Sequence, residues 1–141
     1  PIATDRNGLI YLHEAGTDDA ATQPPQAINA YVESSQIDIG DGNEFVFIRR
    51  LIPDLTFMSS TADNPSVEMT LQARNFPGGD YRTSDASTIS RSAVVPVEQF
   101  TNQAHVRLRG RSFGLRVESD DLGVEWRLGS PRVDIRQDGE R

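Results

Sequence analysis

Cysteine and lysine are absent from this sequence, and histidine occurs only twice. Without thiols there is no disulfide staple, no thiolate nucleophile and no sulfur-rich zinc site, which leaves His13 and His105 as the only imidazoles. All 14 basic residues are arginine. That bias reflects either a GC-rich genome or a use for forked hydrogen bonding, because guanidinium pairs bidentately with carboxylate or phosphate where ammonium does not. No apolar run approaches the roughly 20 residues of a bilayer span, and the first stretch of chain is polar and acidic, so neither a membrane anchor nor a signal peptide is read here. A net charge of -7 and a pI near 4.7 exclude a surface that is phosphate-binding throughout, though they leave room for a local basic stripe.

The 141 residues make one domain's worth of chain, and 11 Gly and 8 Pro punctuate it too often for long helices. Asp5-Arg6-Asn7-Gly8 predicts a two-residue hairpin turn, with a strand over residues 9–14. The arm before the turn is very short, which suggests a sheet whose natural partner lies upstream. Pro1 has two readings, removal of an initiator Met or a piece of a longer chain, and the short arm favours the second. Residues 15–26, with Pro24-Pro25, read as a linker. The expected division is therefore residues 1–24 as the end of an upstream β domain plus linker, and residues 25–141 as a β-sandwich domain.

Two-residue periodicity then takes over. Ile28, Ala30 and Val32, then Ile37 and Ile39, predict half-buried strands, and Gly40-Asp41-Gly42-Asn43 is a turn. Residues 45–55 form a near-continuous apolar run suited to a central strand that ends or bulges at Pro53. Val67, Met69, Leu71 and Ala73 alternate with polar neighbours, Phe76-Pro77-Gly78-Gly79 turns the chain, and the Ser/Thr-rich residues 83–92 read as a long exposed loop. Strands are expected over residues 94–100, 104–109, 113–119 and 124–128, with 132–136 as an edge. Such a chain is all-β, an antiparallel sandwich, a sandwich-like sheet or a barrel. It has no internal repeat of 20 to 50 residues, which argues against a complete propeller within it.

The chemistry-bearing constellations are few. Charge is polarised: residues 1–48 carry one Arg against eight carboxylates, whereas residues 101–141 carry eight Arg against seven. In His105-Val106-Arg107-Leu108-Arg109-Gly110-Arg111, strand alternation puts Val106 and Leu108 on one face and Arg107, Arg109 and Arg111 on the other. The plainer reading of this row is cross-strand pairing with Glu118, Glu125 and Asp134, each exposed pair contributing about 0–1 kcal/mol. The functional reading aims it at phosphate or at a partner's carboxylates. Asp38-Ile39-Gly40-Asp41-Gly42 lacks the ligand spacing and terminal Glu of a calcium loop, and neither His belongs to a zinc-ligating pair. No Gly-x-Ser-x-Gly elbow or phosphate-cradling loop is present, and Asp18-Asp19 and Asp120-Asp121 read as solvated turn residues rather than as an acid–base pair. Trp126 and Phe113 fall in apolar alternation and read as core. No catalytic residue, cofactor or metal is assigned.

Several strings taken in order carry a resemblance: Asn7 to Gly16, Ala30 to Ser34, Ile37 to Gly42, Phe47 to Asp54, Ala73 to Gly78, then Arg109-Gly110-Arg111, Arg116 to Ser119, Trp126 to Gly129 and Asp138 to Arg141. Over nearly its whole length the chain resembles the C-terminal portion of the tail hub, or nozzle, proteins of short-tailed bacteriophages, also called phage stabilisation proteins. The resemblance implies a non-enzymatic virion structural protein, made in the bacterial host cytoplasm. Its copies would form a homo-oligomeric ring that prolongs the DNA exit channel, with DNA passing transiently and non-specifically, and that meets the adaptor and the tip or fibres. It further implies that residues 1–24 are the last strands of an upstream β-propeller. On this basis the arginine row has three uses, namely ring contacts, DNA facing the lumen, or internal pairing. The acidic balance of the chain favours ring contacts, with Arg107, Arg109 and Arg111 facing acidic surfaces such as Asp18-Asp19 of a neighbour. From a different class, a carbohydrate-binding β-sandwich predicts an exposed Trp126 or Tyr81 beside carboxylates. A tail-associated glycoside hydrolase would need two carboxylates about 5–10 Å apart in a cleft.

Overall fold

A computed structural model describes residues 1–81 and 91–139. In chain order its strands are β1 (Ile2–Thr4), β2 (Ile10–Leu12), β3 (Ala30–Glu33), β4 (Ile37–Asp38), β5 (Val46–Ile52) and β6 (Leu55–Thr56). They continue with β7 (Ser66–Arg74), β8 (Ser92–Glu98), β9 (Ala104–Gly110), β10 (Ser112–Ser119), β11 (Arg127–Leu128) and β12 (Arg132–Gln137). Among the described residues there is no helix, and so none long and apolar enough to cross a membrane. Of the expected exposed loop, residues 83–90 lie outside the described residues, and Ser92 already belongs to β8.

The chain is an all-β antiparallel sandwich. One sheet runs β3-β10-β7-β8, with β4 continuing β3 along the same edge of β10; the other runs β12-β5-β9. Alternation on β7 drives the packing. Val67, Met69, Leu71 and Ala73 are all buried, and their registered neighbours Val97 and Val95 on β8 and Val117 and Phe113 on β10 point the same way. Val46, Ile48 and Leu51 of β5 and Val106 and Leu108 of β9 close the core from the second sheet. Removing each such side chain from water contributes about 1.5–3 kcal/mol. The apolar run is thus the central strand of its sheet, and it ends before Pro53 as expected.

The two sheets join where β9 becomes β10 across the single residue Arg111. Gly110 is needed there because its backbone presses on β7: a Cβ would sit 2.8 Å from Ala73 Cβ and 2.9 Å from the Arg74 carbonyl oxygen. The Arg111 N–H donates to that same carbonyl at 2.8 Å, so one strand hands over from sheet to sheet without a loop.

Other elements depart from expectation for physical reasons. The first turn is a three-residue loop. Asp5 N–H donates to the Leu9 carbonyl, Asp5 Oδ1 accepts from Asn7 and Leu9 N–H at 2.8 and 2.9 Å, and Gly8, not Asn7, takes the positive φ. Both hairpin arms pair, Ile2 with Leu12 and Thr4 with Ile10. The expected strand over 124–128 shrinks to Arg127–Leu128, because Ser60 Oγ both accepts from Glu125 N–H at 2.8 Å and donates to its carbonyl at 2.6 Å, replacing a ladder partner. Val32 and Ile37 are not half-buried but 45 and 56 % exposed, since β3 and β4 form an open sheet edge, and Ile28, 50 % exposed, lies before β3 and joins no strand.

Candidate functional site

Sheet alternation sorts the charges onto opposite outer faces. On the outer side of β12-β5-β9, the residues that alternate with core positions are Arg132, Asp134 and Arg136 on β12, Phe47, Arg49 and Arg50 on β5, and His105, Arg107 and Arg109 on β9. Six guanidiniums thus share a face with Asp138, just beyond β12, and with Asp134. Register irregularities between Ile48 and Arg50 and between Asp134 and Ile135 bring the Asp134 carboxylate to β5. Asp134 Oδ2 accepts from Arg49 at 2.8 Å and lies 3.4 Å from Arg50, and the Arg49 hydrogen bond holds its carboxyl below the usual range. Phe47, Arg49, His105 and Arg107 line a hollow of about 500 Å³ on this face.

The structure divides the predicted row. Arg107 is exposed and makes no hydrogen bond or ion pair among the described residues. Arg109 is paired with Asp138, and its guanidinium stacks 4.0 Å from the centroid of the Phe45 ring; Arg111, at the sheet corner, stacks on the same ring at 4.6 Å. Cation–π contact holds both side chains down. The carboxylates expected opposite the row are engaged elsewhere: Asp134 with Arg49 and Arg50, and Glu118 with Arg116. Sequence reading missed Phe45 and Asp138, which are distant in sequence. It also missed Arg49 and Arg50, whose signal was an Arg pair inside an apolar run.

The outer side of the other sheet is acidic. Glu33, Asp38, Glu68, Glu98 and Glu118 lie there with Arg74 and Arg116. Arg116 bridges Glu33 at 3.0 Å and Glu118 at 2.7 Å and lies over the Tyr31 ring, and its hydrogen bond lowers the pKa of Glu118. At one end of this face an open groove of about 360 Å³ is lined by Glu68, Glu118, Asp120, Asp121 and Pro96, among others.

The remaining candidates have local duties. Asp18 Oδ1 accepts from Gly123 N–H at 2.7 Å and so ties the linker to the turn after β10. Asp19 is exposed, bridges Gln26 through its backbone, and accepts from Ala21 N–H at 2.9 Å. Neither aspartate lies on the arginine face. Trp126 is half-buried against the core, and its indole N–H donates to Ser119 Oγ at 2.9 Å; Tyr81 is also half-buried, hydrogen-bonded to Gln36 and covered by the Arg74 guanidinium. His13 and His105 are exposed and far apart in the fold's connectivity, on a hairpin end and on β9. Among the described residues no group of three or more His, Asp or Glu is placed to hold a metal ion.

The N-terminal hairpin carries a cluster of exposed apolar side chains. Ile2, Ile10 and Leu12 share one of its faces and are 71, 72 and 70 % exposed, and Leu9 beside them is 56 % exposed. Among the described residues no third strand pairs with β1 or β2. A scan of protein-family models and a search of curated proteins found no match to this chain.

Proposed function

We propose that this chain is a non-enzymatic structural module of a phage tail, a piece of a hub or nozzle ring that prolongs the DNA exit channel. It works by packing against copies of itself and against the adaptor and the tip or fibres. The observation that carries the reading is the hairpin. A two-stranded ribbon is marginal in water, and this one turns Ile2, Ile10 and Leu12 outward, about 70 % exposed, with nothing in the described chain to cover them. A module that worked alone would gain from polar residues there; a module that docks needs apolar ones. The resemblance set out above supplies the setting, and the carbohydrate-binding alternative loses support because Trp126 and Tyr81, the aromatic residues it relies on, are engaged within the fold.

The test is composition of the particle. Quantitative mass spectrometry of gradient-purified virions should find the chain in a fixed number of copies per portal ring, and Ile10→Asp with Leu12→Asp should abolish its incorporation while leaving its β circular dichroism intact. Absence of the chain from purified particles contradicts the proposal.

A further inference from the structure

The two outer faces of the sandwich carry opposite charge, and each holds groups whose charge is not neutralised among the described residues. On β12-β5-β9, Arg107 and Arg132 are exposed and without a hydrogen bond or ion pair among the described residues, and Arg136 adds a third exposed guanidinium. On the opposite side of the molecule Glu68, Asp120 and Asp121 are exposed around the groove, likewise without such partners among the described residues. Exposed Tyr31 and Val94 on the acidic side, and half-buried Phe47 on the basic side, offer apolar area among the charges.

We infer that the occupant of the arginine face is a second copy of this chain, docked through its acidic face, with the exposed guanidiniums of Arg107 and Arg132 entering the groove lined by Glu68, Asp120 and Asp121. The inference rests on the structural-module reading and names its partner. Charge complementarity selects this occupant. A twofold pair would set arginine against arginine or carboxylate against carboxylate, which costs several kcal/mol for close like charges. A basic-on-acidic contact is heterologous, so each copy keeps one face open for the next and the contact propagates into a closed ring or an open fibre. The groove is concave and arginine is long and forked, so its guanidinium reaches carboxylates there in the planar, bidentate geometry that lysine lacks. An acidic chain that concentrates its cations on one face thereby associates through that face without binding polyanions over its whole surface.

The test uses sedimentation velocity on the full chain and two charge-reversed variants. Arg107→Glu with Arg132→Glu reverses the charges that enter the groove, and Glu68→Arg with Asp120→Arg reverses two of the groove carboxylates that receive them; all four sites are exposed, and circular dichroism checks that each variant folds. The wild-type chain should self-associate, and association should weaken about tenfold or more as NaCl rises from about 50 to about 500 mM, since exposed pairs are screened. Each variant alone should associate at least about tenfold more weakly, because like charges then meet where the guanidiniums enter the groove. An equimolar mixture of the two should restore association. A wild-type chain that stays monomeric throughout, variants that associate as the wild type does, or a mixture no better than its parts each overturn the inference. Virions that contain the chain while the mixture fails would sink this contact and leave the tail reading standing; rescue by mixing with no chain in virions would do the reverse.

Discussion

Gly110 is the position at which one substitution separates this sandwich from other arrangements of the same strands. An added Cβ would lie 2.8 Å from Ala73 Cβ, 2.9 Å from the Arg74 carbonyl oxygen and 3.3 Å from Arg74 N. Carbon pairs prefer about 3.5–4.0 Å, so Gly110→Ala must push β9 and β7 apart by about 0.7–1 Å. Neither side yields easily: Val46 pairs with Gly110, and the neighbouring Arg111 N–H donates to Arg74 at 2.8 Å. Overpacking of this kind costs about 2–3 kcal/mol, which for a domain of this size lowers Tm by about 6–12 °C. Urea unfolding followed by the fluorescence of the single tryptophan, Trp126, reads the change directly. Repeating the substitution in an Ala73→Gly background removes the nearer clash and should reduce the cost by about 1 kcal/mol, a coupling expected only of residues in contact. A Gly110→Ala protein within about 0.5 kcal/mol of wild type, or the same loss in both backgrounds, would refute the reasoning about the sheet corner.

Other consequences follow from single groups. The carboxyls of Asp134 and Glu118 titrate below their ordinary range because Arg49 and Arg116 hydrogen-bond their charged forms. Their contribution is therefore present above the unfolded pKa near 4 and is lost as pH falls through the lower folded value; Tm should be flat down to about pH 5 and drop below about pH 4, and Glu118→Gln should make that drop shallower. Asp18→Ala leaves the buried Gly123 N–H without its acceptor, at a cost of about 1–3 kcal/mol, and limited proteolysis within residues 15–26 should quicken. Trp126→Phe should cost about 1–2 kcal/mol by stranding Ser119 Oγ, measured by thermal unfolding.

Elements with a clean two-residue period were legible before the structure. β7 alternates from Val67 to Ala73, β9 and β10 carry their apolar residues in register, and the run ending at Pro53 is a buried central strand. Local pattern says nothing about partners, and there sequence reading ran out. That β3 and β4 share one edge of β10, leaving Val32 and Ile37 exposed, depends on pairings across some 80 residues of sequence. A serine side chain 65 residues away replaces the ladder at Glu125. The arginine row was visible, but not that Phe45 holds two of its members, because an aromatic preceding a strand carries no sign of what will stack on it. Nor was the polarity of the sandwich readable, since a charge belongs to an outer face only once its strand has been assigned to a sheet.

As the tail module proposed above, the chain has its apolar hairpin covered when it assembles. Amide hydrogen exchange of Ile2–Leu12, measured on the full protein as its concentration is raised into the assembled state, tests it most directly. Slowing of exchange by at least about a hundredfold over β1 and β2, reversed on dilution, is predicted. Fast exchange there in fully assembled particles would contradict it.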